Sequence, residues 1–288
     1  MKRFASVSFP LSRSDQPSQL LPPSERVVIP SLKELAFEGV CEYLEDLVAR
    51  IDTPVLCQFL IRFLNQLIFD ITQLHQFIGR TEKLTAPNHA DIFFSDDNVE
   101  AILFTQAGSI LLGVSCNGTD WQLSFLSRVC GRSLPVISNV QCLDIREDPC
   151  GRRLQDDVEN AQWLELLLPF IAVMELYLSE KLALRCVPAL QQLAGEVKIG
   201  ALPTLQHLFL EGFQPSDSVQ EVIGQFVAAR ELSGNSLAIH CKTPPLESLP
   251  NDFPMSGRSV SVLRSVMNNP HLFYGRIASL AQCFQGSV

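Results

Sequence analysis

An α/β fold made by stacking one repeated strand–helix unit is what this 288-residue sequence predicts. Three observations carry the expectation. The phrase Pro30-Ser-Leu-Lys-Glu-Leu-Ala-Phe-Glu-Gly39 returns 173 residues later as Pro203-Thr-Leu-Gln-His-Leu-Phe-Leu-Glu-Gly212, a shared skeleton of Pro-x-Leu-x-x-Leu-x-apolar-Glu-Gly. Looser copies lie between the two, and Ala107, Val140, Val173 and Leu205 stand 33, 33 and 32 residues apart. Between the copies run stretches whose apolar residues recur at three- and four-residue steps, the spacing of one helix face. Strand, turn, helix, turn at about thirty residues is the unit of a leucine-rich-repeat-like β/α solenoid, a horseshoe with parallel strands on its concave face. An open parallel sheet in an ordinary α/β domain is the rival reading, since both alternate strands with helices.

Along the chain, residues 1–28 are rich in Ser and Pro and read as an irregular leader. Residues 29–240 read as the solenoid. Its strands are expected at Leu32-x-x-Leu35-x-Phe37, Leu56-x-x-Phe59-x-Ile61, Val140-x-x-Leu143-x-Ile145, Val173-x-x-Leu176-x-Leu178 and Leu205-x-x-Leu208-x-Leu210, with a weaker copy at Ala107-x-x-Ile110-x-Leu112. In each, the second and third apolar positions alternate with other residues, the period of a strand with one buried face. Helices are expected over Glu42–Ile51, Ile71–Gly79, Trp121–Cys130, Val158–Leu168, Leu184–Leu193 and Ser218–Ala229. The long uncharged stretch Ala101–Thr119 is broken by Gln106, Gly108, Ser109, Gly113 and Asn117, too polar for a membrane span, and reads as two strands with a turn near Gly108. Residues 241–258, with Pro244, Pro245, Pro250 and Pro254, read as a Pro-rich linker, and residues 259–288 as a helical C-terminal segment broken at Pro270.

Composition narrows the functional classes. A formal charge of −9 argues against a broad phosphate-binding surface, so no nucleic-acid partner is expected. The N-terminal apolar stretch is short and interrupted by Pro10, a poor signal peptide, and no membrane partner is expected. Nine widely spaced cysteines without a Cys-x-x-Cys pair read as reduced thiols of a cytoplasmic or nuclear protein, with Cys57 and Cys142 expected as small hydrophobes inside apolar runs.

The wording itself resembles a family. Glu42-Tyr-Leu-Glu-Asp-Leu-Val-Ala-Arg-Ile-Asp52, Asn65-Gln-Leu-Ile-Phe-Asp70, Asp120-Trp-Gln-Leu-Ser124, Gln162-Trp-Leu-Glu-Leu166 and Gly224-Gln-Phe-Val-Ala-Ala-Arg230 are similar to the C-terminal leucine-rich-repeat half of F-box-like proteins of mushroom-forming fungi, over roughly Val27 to Gly234. The resemblance implies a β/α horseshoe that presents a surface to a target protein, in a family whose fuller members recruit a cullin ubiquitin ligase through an N-terminal F-box. Leu21-Pro-Pro-Ser-Glu25 only mimics the start of an F-box, so a cullin partner is expected only if an F-box is supplied elsewhere. The segment after residue 240 also departs from the family's basic, Trp-containing tail.

No catalytic chemistry is legible. The sequence lacks the Gly-x-Ser-x-Gly elbow and both glycine-rich phosphate loops, and no two of His75, His89, His207, His240 and His271 are spaced as a helical metal pair. His240-Cys241 is the one adjacent His-Cys pair, without a second to complete a zinc site. The acidic run from Asp144 through Glu159 does not fit a calcium loop and reads as a solvated turn. Trp121 and Trp163 are expected to wedge helix against strand. No cofactor, metal or catalytic residue is therefore assigned. The expected function is a non-catalytic protein-recognition scaffold with a protein partner of unknown identity. Its contact residues are strand positions pointing away from the core: Lys33, Glu34, Ala36, Glu38, Gln141, Asp144, Arg146, Glu175, Tyr177, Gln206, His207, Phe209 and Glu211. The alternatives are a small α/β hydrolase or transferase with no recognisable motif, or a truncated copy without function.

Overall fold

The fold begins with a turn that recurs five times. The amides of Leu32, Leu56, Val140, Val173 and Leu205 each donate to the carbonyl three residues back, on Ile29, Thr53, Ile137, Phe170 and Leu202, at 3.4, 3.1, 3.0, 3.5 and 3.1 Å. In three of these β-turns the second residue is Pro30, Pro54 or Pro203, whose fixed φ suits that position. The repeated Pro-x-Leu is therefore a turn signal, and the buried Leu or Val that closes it delivers the chain into a strand.

The computed structural model describes residues 3–8, 26–64, 71–115, 119–132, 134–147, 160–195, 202–211, 217–232 and 234–242. Its strands are β1 (Arg3–Ser8), β2 (Val27–Val28), β3 (Leu32–Gly39), β4 (Ile51–Asp52), β5 (Gln58–Leu64), β6 (His89–Phe94), β7 (Asn98–Phe104), β8 (Ser109–Ser115), β9 (Cys142–Glu147), β10 (Glu175–Ser179), β11 (His207–Glu211) and β12 (Ala238–Lys242). The helices are α1 (Cys41–Arg50), α2 (Thr72–Arg80), α3 (Thr119–Arg132), α4 (Asn160–Leu167), α5 (Glu180–Gly195) and α6 (Asp217–Leu232). Each of the six expected helices is present, within a few residues at either end. The described elements belong to one compact unit. Its last strand takes in Cys241 and Lys242, the first two residues of the expected linker, and the rest of that linker and the expected C-terminal helices lie outside the described residues.

Ten strands form one sheet in the order β1-β3-β5-β8-β7-β6-β9-β10-β11-β12, and β2 pairs with β4 separately. All neighbours in the large sheet run parallel except β6–β7 and β7–β8, which are antiparallel. The class is thus α/β with a mostly parallel sheet. Of this antiparallel meander the sequence predicts the β7–β8 pair but not β6, and its cause is local: two two-residue hairpin loops. At the first, Ser95 N–H donates to Asn98 O at 2.9 Å; at the second, Thr105 N–H donates to Gly108 O at 2.9 Å and Thr105 Oγ1 accepts from Gly108 N–H. The turn near Gly108 stands where the sequence placed it. Arg3–Ser8, expected in an irregular leader, instead forms β1 and pairs parallel with β3.

One strand face is apolar and buried: Leu35 and Phe37 on β3, Phe59, Ile61 and Phe63 on β5, Leu143 and Ile145 on β9, Leu176 and Leu178 on β10, Leu208 and Leu210 on β11. These join the buried stripes of all six helices in a single hydrophobic cluster, so the helices share one side of the sheet, as right-handed crossovers progressing in one direction require. Edge-on ring contacts tie the layers together: Phe59 to Phe77 of α2 at 5.4 Å and Phe63 to Phe125 of α3 at 6.0 Å. Trp163 of α4 is fully buried against Phe94 at 5.7 Å, as expected for a wedge. Trp121 is not: it is 52% exposed on the first turn of α3, because the apolar stripe of that helix runs through Leu123, Leu126 and Cys130 instead. Among the described residues, no helix is long and apolar enough to cross a membrane.

Candidate recognition surface

Strand alternation sends the other half of the side chains to the face opposite the helices, where register sets them in rows. On β6, β9, β10, β11 and β12 the register rows are His89, Cys142, Glu175, His207, Ala238; then Asp91, Asp144, Tyr177, Phe209, His240; then Phe93, Arg146, Ser179, Glu211, Lys242. The β3–β5–β8–β7 half is more apolar, with Leu60, Leu111 and Ile102 in the middle row, and one ion pair from Arg62 to the buried Glu100 at 3.1 Å.

The second row holds three rings in a stack. Tyr177 and Phe209 lie 4.2 Å apart and 5° from parallel, and Phe209 and His240 lie 4.5 Å apart and 15° from parallel. These spacings fit the roughly 4.8 Å between neighbouring strands, so each ring stands on its own strand and turns its edge outward. Tyr177 Oη donates to Glu175 at 3.2 Å, and His207 Nδ1 meets His240 Nε2 at 3.2 Å. Beside the rings, Arg146 holds Asp144 with both fork nitrogens, Nε donating to Oδ1 at 2.7 Å, and comes within 3.8 Å of Glu211. Asp91, the register neighbour of Asp144, lies 2.6 Å from His89 Nε2.

Burial governs the electrostatics here. It raises the Asp144 pKa above the ordinary carboxylate value; the Arg146 fork pulls the other way, and Asp91 and Glu211 add to the rise. The Cys142 thiol is pushed up to about 12 by burial first, then by Glu175, Asp144 and Asp91. A thiol held in its neutral form is a poor nucleophile. Tyr177 is likewise raised, by burial and by Glu175.

The structure gathers Asp144, Arg146, Glu175, Tyr177, His207, Phe209 and Glu211 on one patch. Glu34, Ala36 and Glu38 lie on the same face but on β3, five strands away from β9, roughly 24 Å at the usual strand spacing. Lys33 is not in a row: Arg3 pairs with Leu32 and Phe4 with Glu34, leaving Lys33 as the bulged residue, exposed, its carbonyl accepting Cys57 N–H at 2.9 Å. Gln141 and Gln206 stand at strand entrances, where their backbone groups continue the ladder to Glu175 and Ala238. Cys57 and Cys142, expected within the core, are only partly buried, and Cys142 belongs to the open face because it shares the parity of Asp144. His240 and Cys241 fall on opposite faces of β12 by the same alternation. Among the described residues, no group of three or more His, Cys, Asp and Glu side chains is placed to hold a metal ion.

Sequence reasoning missed His89, Asp91, Arg62, Glu100 and His240 as members of this face. The alternation in His89-Ala-Asp-Ile-Phe-Phe94 was the available signal for β6. No family model, no curated protein and no solved structure matches this chain.

Proposed function

We propose that this chain is a non-catalytic protein-recognition scaffold: a leucine-rich-repeat-like β/α solenoid of horseshoe type whose helix-free sheet face is its concave, partner-binding surface. The observation that carries this reading is the asymmetry of the sheet. One face is sealed by six helices in a single core, while the other sets half-exposed polar and aromatic side chains in register across neighbouring strands. Five copies of one turn support the repeat. Solenoids expose broad surfaces of this kind and bind through them. The quoted sequence likeness to the target-binding half of fungal F-box-like proteins belongs to the same reading, with a cullin ligase reached only through an F-box supplied elsewhere.

A capture experiment tests it. Purified chain is immobilised beside a variant carrying Tyr177→Ser, Phe209→Ser and Glu211→Lys, and both are offered a native lysate with mass-spectrometric readout. Specific proteins retained by the first and lost from the second, with matching circular dichroism, are the expected result. Identical captures by the two would sink the reading.

A further inference from the structure

Resting on that reading, we infer that the partner engages the β9–β12 half of the face through an extended segment bearing arginine or lysine. At the register positions of this face carboxylates outnumber cationic residues. Its formal cations are Arg62 and Arg146, both already engaged, with Glu100 and with Asp144 and Glu211, and Lys242, which stands in register beside Glu211 on β12. Glu34, Glu38, Asp91 and Glu175 remain on the face with no cation among their described salt-bridge partners, apart from His89 beside Asp91. A partner supplying positive charge removes this imbalance, and one supplying negative charge worsens it.

The ring stack independently narrows the chemistry. Because Tyr177, Phe209 and His240 cover one another's faces, the Phe209 π-face is not open to a cation, and what the row offers outward is an apolar ridge of ring edges. Carboxylates border that ridge, Glu175 in the row before and Glu211 in the row after. An arginine or lysine side chain has the matching construction, an apolar stem ending in a cationic head. Its methylenes lie along the ring edges while its head reaches Glu175 or Glu211. Glu211 receives Arg146 only at 3.8 Å, a loose contact. A small apolar or an acidic side chain satisfies one of these two features at most.

Fluorescence anisotropy with three labelled peptides of equal length tests the inference: arginine alternating with glycine, glutamate alternating with glycine, and serine alternating with glycine. The arginine peptide should bind saturably, weaken as salt rises, and lose about five- to tenfold in affinity with the pair Glu175→Gln and Glu211→Gln. Glu165→Gln, exposed on α4 in the helical layer, should leave binding unchanged. Equal binding of the arginine and glutamate peptides, or the same loss from the α4 variant, overturns the inference. If the lysate capture still shows a surface-dependent partner in that case, the scaffold reading stands and only the basic-segment inference falls.

Discussion

Asp144 shows how one residue's environment translates into a measurable slope. Its carboxylate is nearly buried, and burial raises its pKa despite the Arg146 fork. The folded protein therefore holds this proton more tightly than the unfolded chain, so between the ordinary carboxylate value and the raised one the native state binds more protons. Over that window the Asp144 contribution to stability falls as pH rises. Urea titrations of wild type and Asp144→Asn from about pH 4 to about pH 7 should show this component flattened in the variant. Parallel pH profiles would contradict it. Cysteine chemistry offers a second reading at this scale. With its thiol held up to about 12, Cys142 should alkylate with iodoacetamide well after the exposed Cys241, and the buried Cys130 and Cys186 should react only on unfolding, as followed by peptide mass mapping. Rapid labelling of Cys142 in native protein would count against the assigned environment.

Among the elements, the β5–β8 contact is the tightest constraint. A Cβ built on Gly108 would lie 2.2 Å from the Cys57 carbonyl oxygen, the acceptor for the first β8 amide, Ser109 N–H at 2.8 Å. Gly108→Ala must push two backbones apart, and we expect a loss of about 2–4 kcal/mol in a denaturant melt. A change within experimental error would show that the hairpin entrance relaxes freely. The same strands show what the sequence could and could not convey. Helices and repeat strands were readable because their signals are local: three- and four-step stripes, alternation, and a proline-bearing turn before each Leu. The face residues on β9, β10 and β11 followed from alternation alone. Lys33 was misplaced because a bulge breaks alternation, and a bulge is set by pairing with β1, which no local pattern reveals. Adjacent Lys33 and Glu34 could never both have occupied one row. His89 and Asp91 escaped because β6 follows a hairpin arrangement rather than the repeated phrase.

At the scale of the molecule, the strand order departs from simple succession only in its middle. The connection containing α2 leaves β5 and passes the positions of β8 and β7 to reach β6; the one containing α3 leaves β8 and passes β7 and β6 to reach β9. In an uninterrupted array each unit touches only its neighbours in sequence, and its ends can open separately. Here β6 secures the second half and β8 the first, so the two halves should open together. Hydrogen exchange under graded denaturant should give the amides of β3 and β5 the same opening free energy as those of β9 and β10. An earlier opening of either set would mean that the meander does not couple them.

That meander also determines what a single cut would do. Severing the chain at the Asp96-Asp97 hairpin would leave a leading fragment that ends in β6, the strand on which β9 is laid, and a trailing fragment that opens with β7 and β8, the strands that complete β5. Each piece would own the edge that the other needs. Neither could close its sheet by itself, and reassembly would proceed only by mutual exchange, like two hands clasping with fingers interleaved.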